Sequence, residues 1–244
     1  MNYFLYTIQQ KEEIVPETFV FWLHPMANQF PSFLPGQYVY LKNPTYTHPE
    51  EEHPFSIVSS PTEGPTLEFC IKKYGDWTTA FSLLNPGDTI WVSEPLGIFT
   101  WDDTIRNAVF LLGGIGIAPV ISMLRFIRQT HHKPHITLLY GNRAPETIAF
   151  EDELLNLRKA LPLKIINVFS HIQDDYPWKG YRGFITKDVI ENEIDLTKKS
   201  TWFIIGPPIF IEKMLSILTD LQISKNDIKS ENVSISPPSE AETI

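Results

Sequence analysis

The chain has 244 residues, of which 43% are hydrophobic and 20% charged, a globular composition that excludes general disorder. Its 29 acidic and 20 basic residues give a formal net charge of −9, which argues against nucleic acid as a main partner because phosphate binding needs a basic face. The single cysteine, Cys70, excludes an internal disulfide and a four-cysteine metal or iron–sulfur site within these residues.

The first hundred residues have the pattern of short antiparallel strands. The predicted strands are rich in β-branched and aromatic residues and lie at 19–23, 37–41, 55–58, 66–71 and 89–92. Proline and glycine turns separate them. This spacing indicates a sandwich or barrel, in which Cys70 is a small buried strand residue.

The pattern changes near residues 100–106, where buried strands begin to alternate with helices. The predicted strands lie at 108–112, 136–140, 164–169 and 201–205. Helical spacing of apolar residues follows the first and the last of them, at 120–127 and 211–218. We therefore predict an α/β parallel-sheet domain at 103–235 after a β domain at 1–102, with a mobile tail at 236–244.

The sequence contains no predicted membrane segment. The apolar stretch at 109–124 is too short to span a bilayer, and its three glycines and one proline favour a strand, a turn and a helix. The first ten residues lack the basic-then-apolar pattern of a secretion signal. Together with the cysteine usage, this predicts a cytoplasmic protein.

A glycine-rich turn, GGIGIAP at residues 113–119, joins a buried strand to an amphipathic helix. Gly113, Gly114 and Gly116 let backbone approach a pyrophosphate closely, and the helix N-terminus offers free N–H groups. Pro119 suits the first helical turn. Such a turn between a strand and a helix predicts a nucleotide site.

The next strand ends in Tyr140-Gly141-Asn142-Arg143, without the carboxylate that usually holds a ribose hydroxyl. An arginine here can receive a 2′-phosphate, which favours NADPH slightly, whereas a solvated Arg143 after a turn asparagine is an equal alternative. Gly206-Pro207-Pro208 is a second strand-to-helix turn, in which Pro208 can start the helix and Gly206 can lie against a flat ligand. The two turns together predict a dinucleotide crevice.

Four ordered motifs resemble those of the ferredoxin–NADP reductase superfamily. They are PGQYV at 35–39, HPFS at 53–56 with GDWT at 75–78, the turn at 113–119, and Gly206-Pro207-Pro208. The HPFS form is most similar to the flavin motif of the NADPH oxidase and ferric reductase branch. The resemblance implies an N-terminal antiparallel Greek-key β-barrel that binds FAD, or less favourably FMN, and a following NAD(P)-binding domain.

The same resemblance implies roles for individual residues. Phe55 would pack against the flavin ring, while Ser56 and Glu231 would be the catalytic side chains. The remaining flavin contacts would come from His53, Pro54, Ile71, Lys72, Gly75, Asp76, Trp77 and Thr78. NAD(P)H would be the electron donor, bound by the two turns and by Asn142 and Arg143.

The sequence departs from the family pattern at three positions. His53 replaces an arginine, so flavin affinity is expected to be lower or pH-dependent. Ile205 replaces a cysteine beside the nicotinamide, and Val233 replaces an aromatic residue that covers the flavin. The histidines at 131, 132 and 135 lack a nearby cysteine or carboxylate, and we expect a solvated connector rather than a metal site.

We therefore predict a flavin-dependent NAD(P)H:acceptor oxidoreductase that passes electrons to a separate acceptor. A redox protein, an oxygenase component and a ferric chelate all remain open as acceptors. The alternatives are a non-catalytic flavin- or nucleotide-binding regulatory subunit, favoured by Ile205 and Val233, and a nucleotide-binding protein without flavin.

Overall fold

The computed structural model describes residues 1–27, 31–130, 133–173 and 175–232, and only the backbone of Asn232. The N-terminal elements are β1 (Tyr3–Val15), β2 (Thr18–Pro25), β3 (Tyr38–Lys42), β4 (Glu52–Ser56), β5 (Leu67–Lys72), α1 (Gly75–Ser82) and β6 (Thr89–Ser93). The C-terminal elements are β7 (Asn107–Gly113), α2 (Ala118–Gln129), β8 (His135–Asn142), α3 (Glu151–Ala160), β9 (Leu163–Phe169), β10 (Tyr181–Arg182), α4 (Lys187–Glu193), β11 (Thr201–Gly206), α5 (Pro208–Asp220) and β12 (Ile228–Asn232).

The N-terminal strands form an antiparallel barrel in the order β4-β3-β6-β1-β2-β5. Its two edges meet where Ile57 bridges Phe69, and the Val58 N–H donates to the Glu68 carbonyl at 2.8 Å. Apolar side chains from alternate strand positions fill the interior, together with Trp77 and Phe81 of α1. The predicted Greek-key barrel is confirmed.

Strand β1 is a long element that the sequence did not predict. It pairs regularly with β6 through Tyr3–Thr7, and it pairs with β2 with register shifts between Ile8 and Gln10 and between Glu13 and Val15. Its second half, which includes Glu12 and Glu13, is largely exposed. The polar residues there do not alternate with apolar ones, so the sequence lacks the pattern that predicts a half-buried strand. The turn into β2 places Glu17 at a φ of 59°.

The C-terminal strands form one parallel sheet in the order β10-β9-β8-β7-β11-β12. Successive residues of β7 point to opposite faces: Phe110 and Leu112 pack with α2 and α3, whereas Val109 and Leu111 pack with α4 and α5. Helices on both faces explain why these strands are continuously apolar. The predicted parallel α/β architecture is confirmed.

The other outcomes concern short segments. Cys70 is buried in β5, as predicted. The sequence analysis did not identify α1, α3, α4, β10 or β12. The histidines 131 and 132 and the tail 236–244 lie outside the described residues. Among the residues that the structure describes, no helix is long and apolar enough to cross a membrane.

Candidate functional site

A large cavity lies where the barrel meets the carboxyl edge of the parallel sheet. Its volume is about 1250 Å³, and residues of both domains line it. On the sheet side it lies at the ends of the adjacent strands β7 and β11. The chain continues from β7 to β8 on one side of this pair and from β11 to β12 on the other side. Ligands of open α/β sheets bind at such a switch point.

The cavity brings together predicted site residues from both domains. Those that line it are His53, Pro54, Phe55, Ser56, Lys72, Thr78, Gly113, Gly114, Asn142, Arg143, Pro207 and Glu231. Those that do not line it are Ile71, Gly75, Asp76, Trp77, Gly116, Pro119, Gly206 and Pro208. Both predicted nucleotide turns and the predicted flavin motif therefore face one space.

The glycines of the first turn have different roles. Gly114 has a φ of +53°, and a Cβ there would meet no atom within 4 Å, so its backbone is open to a ligand. A Cβ on Gly116 would instead lie 2.7 Å from the Ile205 carbonyl oxygen. Gly116 thus allows the turn before α2 to pack closely against β11, whereas Gly114 leaves its backbone open to the cavity.

The second turn packs against the first one. A Cβ on Gly206 would lie 2.8 Å from the Phe210 ring and 3.3 Å from Gly113. Pro208 begins α5, as predicted, and Pro207 lines the cavity. The space in front of Gly206 is therefore occupied by protein, contrary to the prediction that Gly206 lies against a flat ligand, and Pro207 forms the cavity-facing surface of this turn.

Strand β4 forms the barrel wall of the cavity. Phe55 stacks on Trp77 with ring centroids 5.5 Å apart, and Trp77 stacks on Phe81 at 5.0 Å. The His53 ring lies 4.5 Å from Trp77, and its Nε2 lies 2.7 Å from Glu51 Oε1. This buried aromatic column fixes the orientation of Phe55 toward the cavity.

Helix α1 contributes its first turn. The Thr78 hydroxyl donates to the Tyr74 carbonyl at 2.5 Å and accepts from the Tyr74 N–H at 2.6 Å. Gly75 has a φ of +74° and open space around it, while Trp77 is buried in the barrel. Thr78 is the residue of the GDWT motif that lines the cavity.

Glu231 lies on β12 opposite Ile205 of β11. Its Oε2 is buried and accepts no hydrogen bond from the residues that the structure describes, and this burial raises the pKa of Glu231 to about 7. A carboxyl group with such a pKa can hold or release a proton near neutral pH. Ile205 is 1% exposed and belongs to the core between the sheet and α2.

Basic and hydroxyl side chains gather where β8 and β9 end. Arg143, Ser170 and His171 line this part of the cavity, and Lys213 of α5 also lines the cavity. The His171 N–H donates to the Arg143 carbonyl at 2.8 Å, and Ser170 Oγ lies 2.7 Å from His171 Nδ1. This end of the cavity suits an anionic group.

Several lining residues were missed by the sequence analysis. They include Tyr140, Ser170, His171, Phe184, Ile209 and Lys213. Ser170 and His171 directly follow a predicted strand, so the rule that ligands bind at carboxyl strand ends could have found them. Phe184 is 74% exposed in a loop, and no periodic signal marks it.

A metal site is not apparent. Within the described ranges, no group of three histidine, cysteine, aspartate or glutamate residues could hold a metal ion. Lys133 donates to the carbonyl of Arg128 at 2.9 Å, so this part of the connector caps α2.

The fold and the cavity define a protein with an antiparallel barrel, a parallel α/β domain and one large cavity lined by both. Residues 13–84 match the FAD-binding domain family, and residues 110–215 match the oxidoreductase NAD-binding domain family. The chain therefore contains an FAD-binding domain followed by an oxidoreductase NAD-binding domain. This agrees with the four motifs on which the sequence resemblance rested.

Individual relatives agree with this assignment. NADH-cytochrome b5 reductase 2 of Candida glabrata is 33% identical over 66% of this chain and 56% of its own. The propane 2-monooxygenase reductase component of Mycolicibacterium smegmatis is 29% identical over 80% of this chain and 58% of its own. The chain thus spans little more than half the length of these relatives. A ferredoxin NADP+ reductase from Neisseria gonorrhoeae, solved with FAD and NADP bound, has the same fold, with a TM-score of 0.78 at 20% identity, covering 95% of this chain and 99% of its own.

Proposed function

We propose that this chain is a flavin-dependent NAD(P)H:acceptor oxidoreductase. Residues 1–102 hold FAD, residues 103–235 hold the nicotinamide nucleotide, and electrons leave to a separate acceptor. One observation carries the proposal: Phe55 and Ser56 of the flavin motif and Gly114 and Pro207 of the nucleotide turns line the same cavity. Two redox groups bound there would be close enough to react.

The residues present fit these cofactors. Asn142 Nδ2 and Glu231 Oε2 are buried atoms with no partner among the described residues, and both side chains line the cavity. Buried polar atoms of this kind are normally satisfied by a ligand or water. Gly114 gives a diphosphate close access to backbone, because a Cβ there would meet open space.

Each side chain has a definable part in the reaction. Bound FAD would convert a two-electron hydride into single electrons. Phe55, held by Trp77, offers a flat apolar surface to a ring system, and the adjacent Ser56 offers a hydrogen bond. Glu231 can exchange a proton with solvent near neutral pH because burial raises its pKa to about 7.

The basic end of the cavity favours NADPH as donor. Arg143, Ser170 and His171 can together bind a 2′-phosphate, and no carboxylate among the described cavity-lining residues comes from the ends of β8 or β9. The named relative that reduces cytochrome b5 uses NADH by its description. The proposed preference for NADPH therefore rests on residues of this chain. The named relative does not support it.

The acceptor is proposed to be a separate one-electron carrier in the cytoplasm. A single buried cysteine cannot hold an iron–sulfur cluster, and an unpaired thiol suits a reducing compartment. The relatives' descriptions name cytochrome b5 and a monooxygenase. A haem protein or an oxygenase component is therefore the acceptor class to test first.

The proposal is tested by anaerobic stopped-flow mixing of the FAD-loaded protein with NADPH or NADH, following the oxidised-flavin absorbance. We expect rapid bleaching by at least one nucleotide. A flavin that stays oxidised with both, yet bleaches with dithionite, would establish a binding subunit instead. Failure to take up any flavin would support the flavin-free alternative.

A matched pair of glycine variants sharpens this test. Gly114 and Gly64 both have positive φ and open space, but only Gly114 faces the cavity. We expect Gly114→Ala to weaken NADPH binding about tenfold. The added Cβ would hold the diphosphate away from the backbone N–H groups of the turn, so charge-assisted hydrogen bonds would be lost. Gly64→Ala, at a φ of +95° against +53° for Gly114, strains the backbone at least as much and should leave NADPH binding unchanged. Equal behaviour of the two variants would contradict the assigned phosphate turn.

A further inference from the structure

A buried ion network joins the two domains. Arg125 lies on α2, the helix that begins at the phosphate turn, and its side chain is 12% exposed. Its Nε and Nη2 donate to Glu153 of α3 at 2.7 and 2.9 Å. Its Nη1 and Nη2 donate to Glu68 of β5 at 2.5 and 3.2 Å.

One guanidinium therefore holds a carboxylate from each domain. Glu153 belongs to the same α/β domain as Arg125, whereas Glu68 belongs to the barrel. The Glu63 carboxylate also lies 3.4 Å from Arg125 Nη1. Close by, the buried Ser122 hydroxyl donates to the Ser59 carbonyl at 2.7 Å, a further polar contact between α2 and the barrel.

This arrangement is costly in free energy. Glu68 is 5% exposed, and its burial raises its pKa above the ordinary value even though Arg125 opposes that rise. Buried ion pairs seldom add much stability over a well-packed apolar pair, but they fix geometry when both ends are bidentate. We therefore explain the network by the relative position of α2 and β5 that it fixes, and not by a gain in the free energy of unfolding.

The positioned element is α2 and its phosphate turn. Lys72, which lines the cavity, lies four residues beyond Glu68 on β5, and Gly114 lies at the start of the turn that leads into α2. A shift of α2 relative to β5 would move the nucleotide turn relative to the flavin wall. Hydride transfer is sensitive to such shifts, since misplacement by about 1 Å can cost about a hundredfold in rate.

We infer that Arg125 is a positioning residue for hydride transfer, and that it acts by fastening the barrel, through Glu68, to the helix that carries the nucleotide turn. The inference rests on the proposed reductase function. It assigns the bidentate cross-domain contact to Glu68, gives the single longer Glu63 contact a lesser part, and leaves Glu153 a role inside one domain.

Two isosteric variants separate these contacts, because Glu68→Gln and Glu153→Gln each remove one carboxylate from Arg125. We expect Glu68→Gln to lower the limiting rate of flavin reduction at saturating NADPH about tenfold, with less than about a threefold change in Glu153→Gln. FAD affinity should be unchanged in both variants. Arg125→Met should lower the limiting rate of flavin reduction more than Glu68→Gln does. If Arg125→Met does not fold, the comparison of Glu68→Gln with Glu153→Gln still tests the inference.

A second readout needs no flavin. Hydrogen exchange of the flavin-free protein should be faster at residues 58–60 and 118–125 in Glu68→Gln and unchanged there in Glu153→Gln. Equal effects of the two variants on rate and exchange would overturn the inference. If the wild-type flavin is not reduced at all, the proposed function fails, and the exchange experiment still decides whether Glu68 fastens the domains.

Discussion

At the scale of single residues, burial decides the chemistry of neighbouring positions. Glu231 and Ile205 are paired across β12 and β11, yet Ile205 points into the core and Glu231 faces the cavity. Ile205 departs from the family pattern, which has a cysteine at this position. Its packing shows that the side chain has a structural place, so this departure does not by itself favour a non-catalytic protein.

Glu231 should make stability depend on pH. Its folded-state pKa is about 7 instead of the ordinary 4.5, so the wild-type protein loses stability as pH rises from about 4.5 to 7 and the buried carboxyl ionises. We expect Glu231→Gln to be more stable than wild type by about 1–3 kcal/mol at pH 8 and equal to it at pH 4. Urea unfolding of the flavin-free protein at both pH values measures this difference.

Glu193 is the matched control for that experiment. Lys164 and Tyr181 hold the pKa of Glu193 below its usual value, so Glu193→Gln should lose stability at pH 8 relative to wild type. Opposite signs for the two variants are expected. If Glu231→Gln is less stable than wild type at pH 8, the conclusion that burial without a hydrogen-bond partner raises the pKa of Glu231 is wrong.

Arg143 tests the preference for NADPH. We expect Arg143→Ala to raise the KM for NADPH about tenfold and to leave the KM for NADH nearly unchanged, because only NADPH carries a 2′-phosphate. Arg158→Ala, at an exposed position on α3, is the control. A parallel rise for both nucleotides would assign Arg143 to the shared diphosphate or to a general charge effect.

At the scale of elements, α1 depends on a contact from a distant strand. The helix has no basic residue in its last turn. Lys11 of β1 donates to the carbonyls of Ser82 and Leu84 at its C-terminal end, with the Leu84 contact at 3.1 Å, and lies 5.0 Å from the Phe19 ring centroid. A cation at this end of a helix compensates the dipole, so Lys11 supports the element that carries Trp77 and Thr78.

Replacing Lys11 should weaken the barrel. We expect Lys11→Met to lower the free energy of unfolding by about 1–2 kcal/mol, and Lys11→Arg to restore most of it. Chemical denaturation of the flavin-free protein gives these values. Lys179→Met, at an exposed position of the second domain, should change little, and equal losses in both lysine variants would refute the capping role.

At the scale of the whole molecule, the site exists only because two domains face each other. The barrel presents β4 and β5 to the carboxyl edge of the parallel sheet, and the cavity between them has residues from both. The core around α2 includes Val20, Val58 and Cys70 of the barrel, so the domains share buried apolar surface as well as the Arg125 network. This shared surface makes the relative position of the two turns and the flavin motif a property of the fold.

The sequence by itself determined the fold class and the positions of the two strand-to-helix turns, because strand and helix periodicity, proline at helix starts and glycine at tight turns are local requirements. It could not determine that Gly116 and Gly206 pack against protein while Gly114 faces the open cavity, since that depends on atoms from a distant strand. It also could not pair Arg125 with Glu68, which lie 57 residues apart in the chain. Only the tertiary structure brings such residues within contact distance, and burial then sets the pKa of Glu231 and the cost of the ion network.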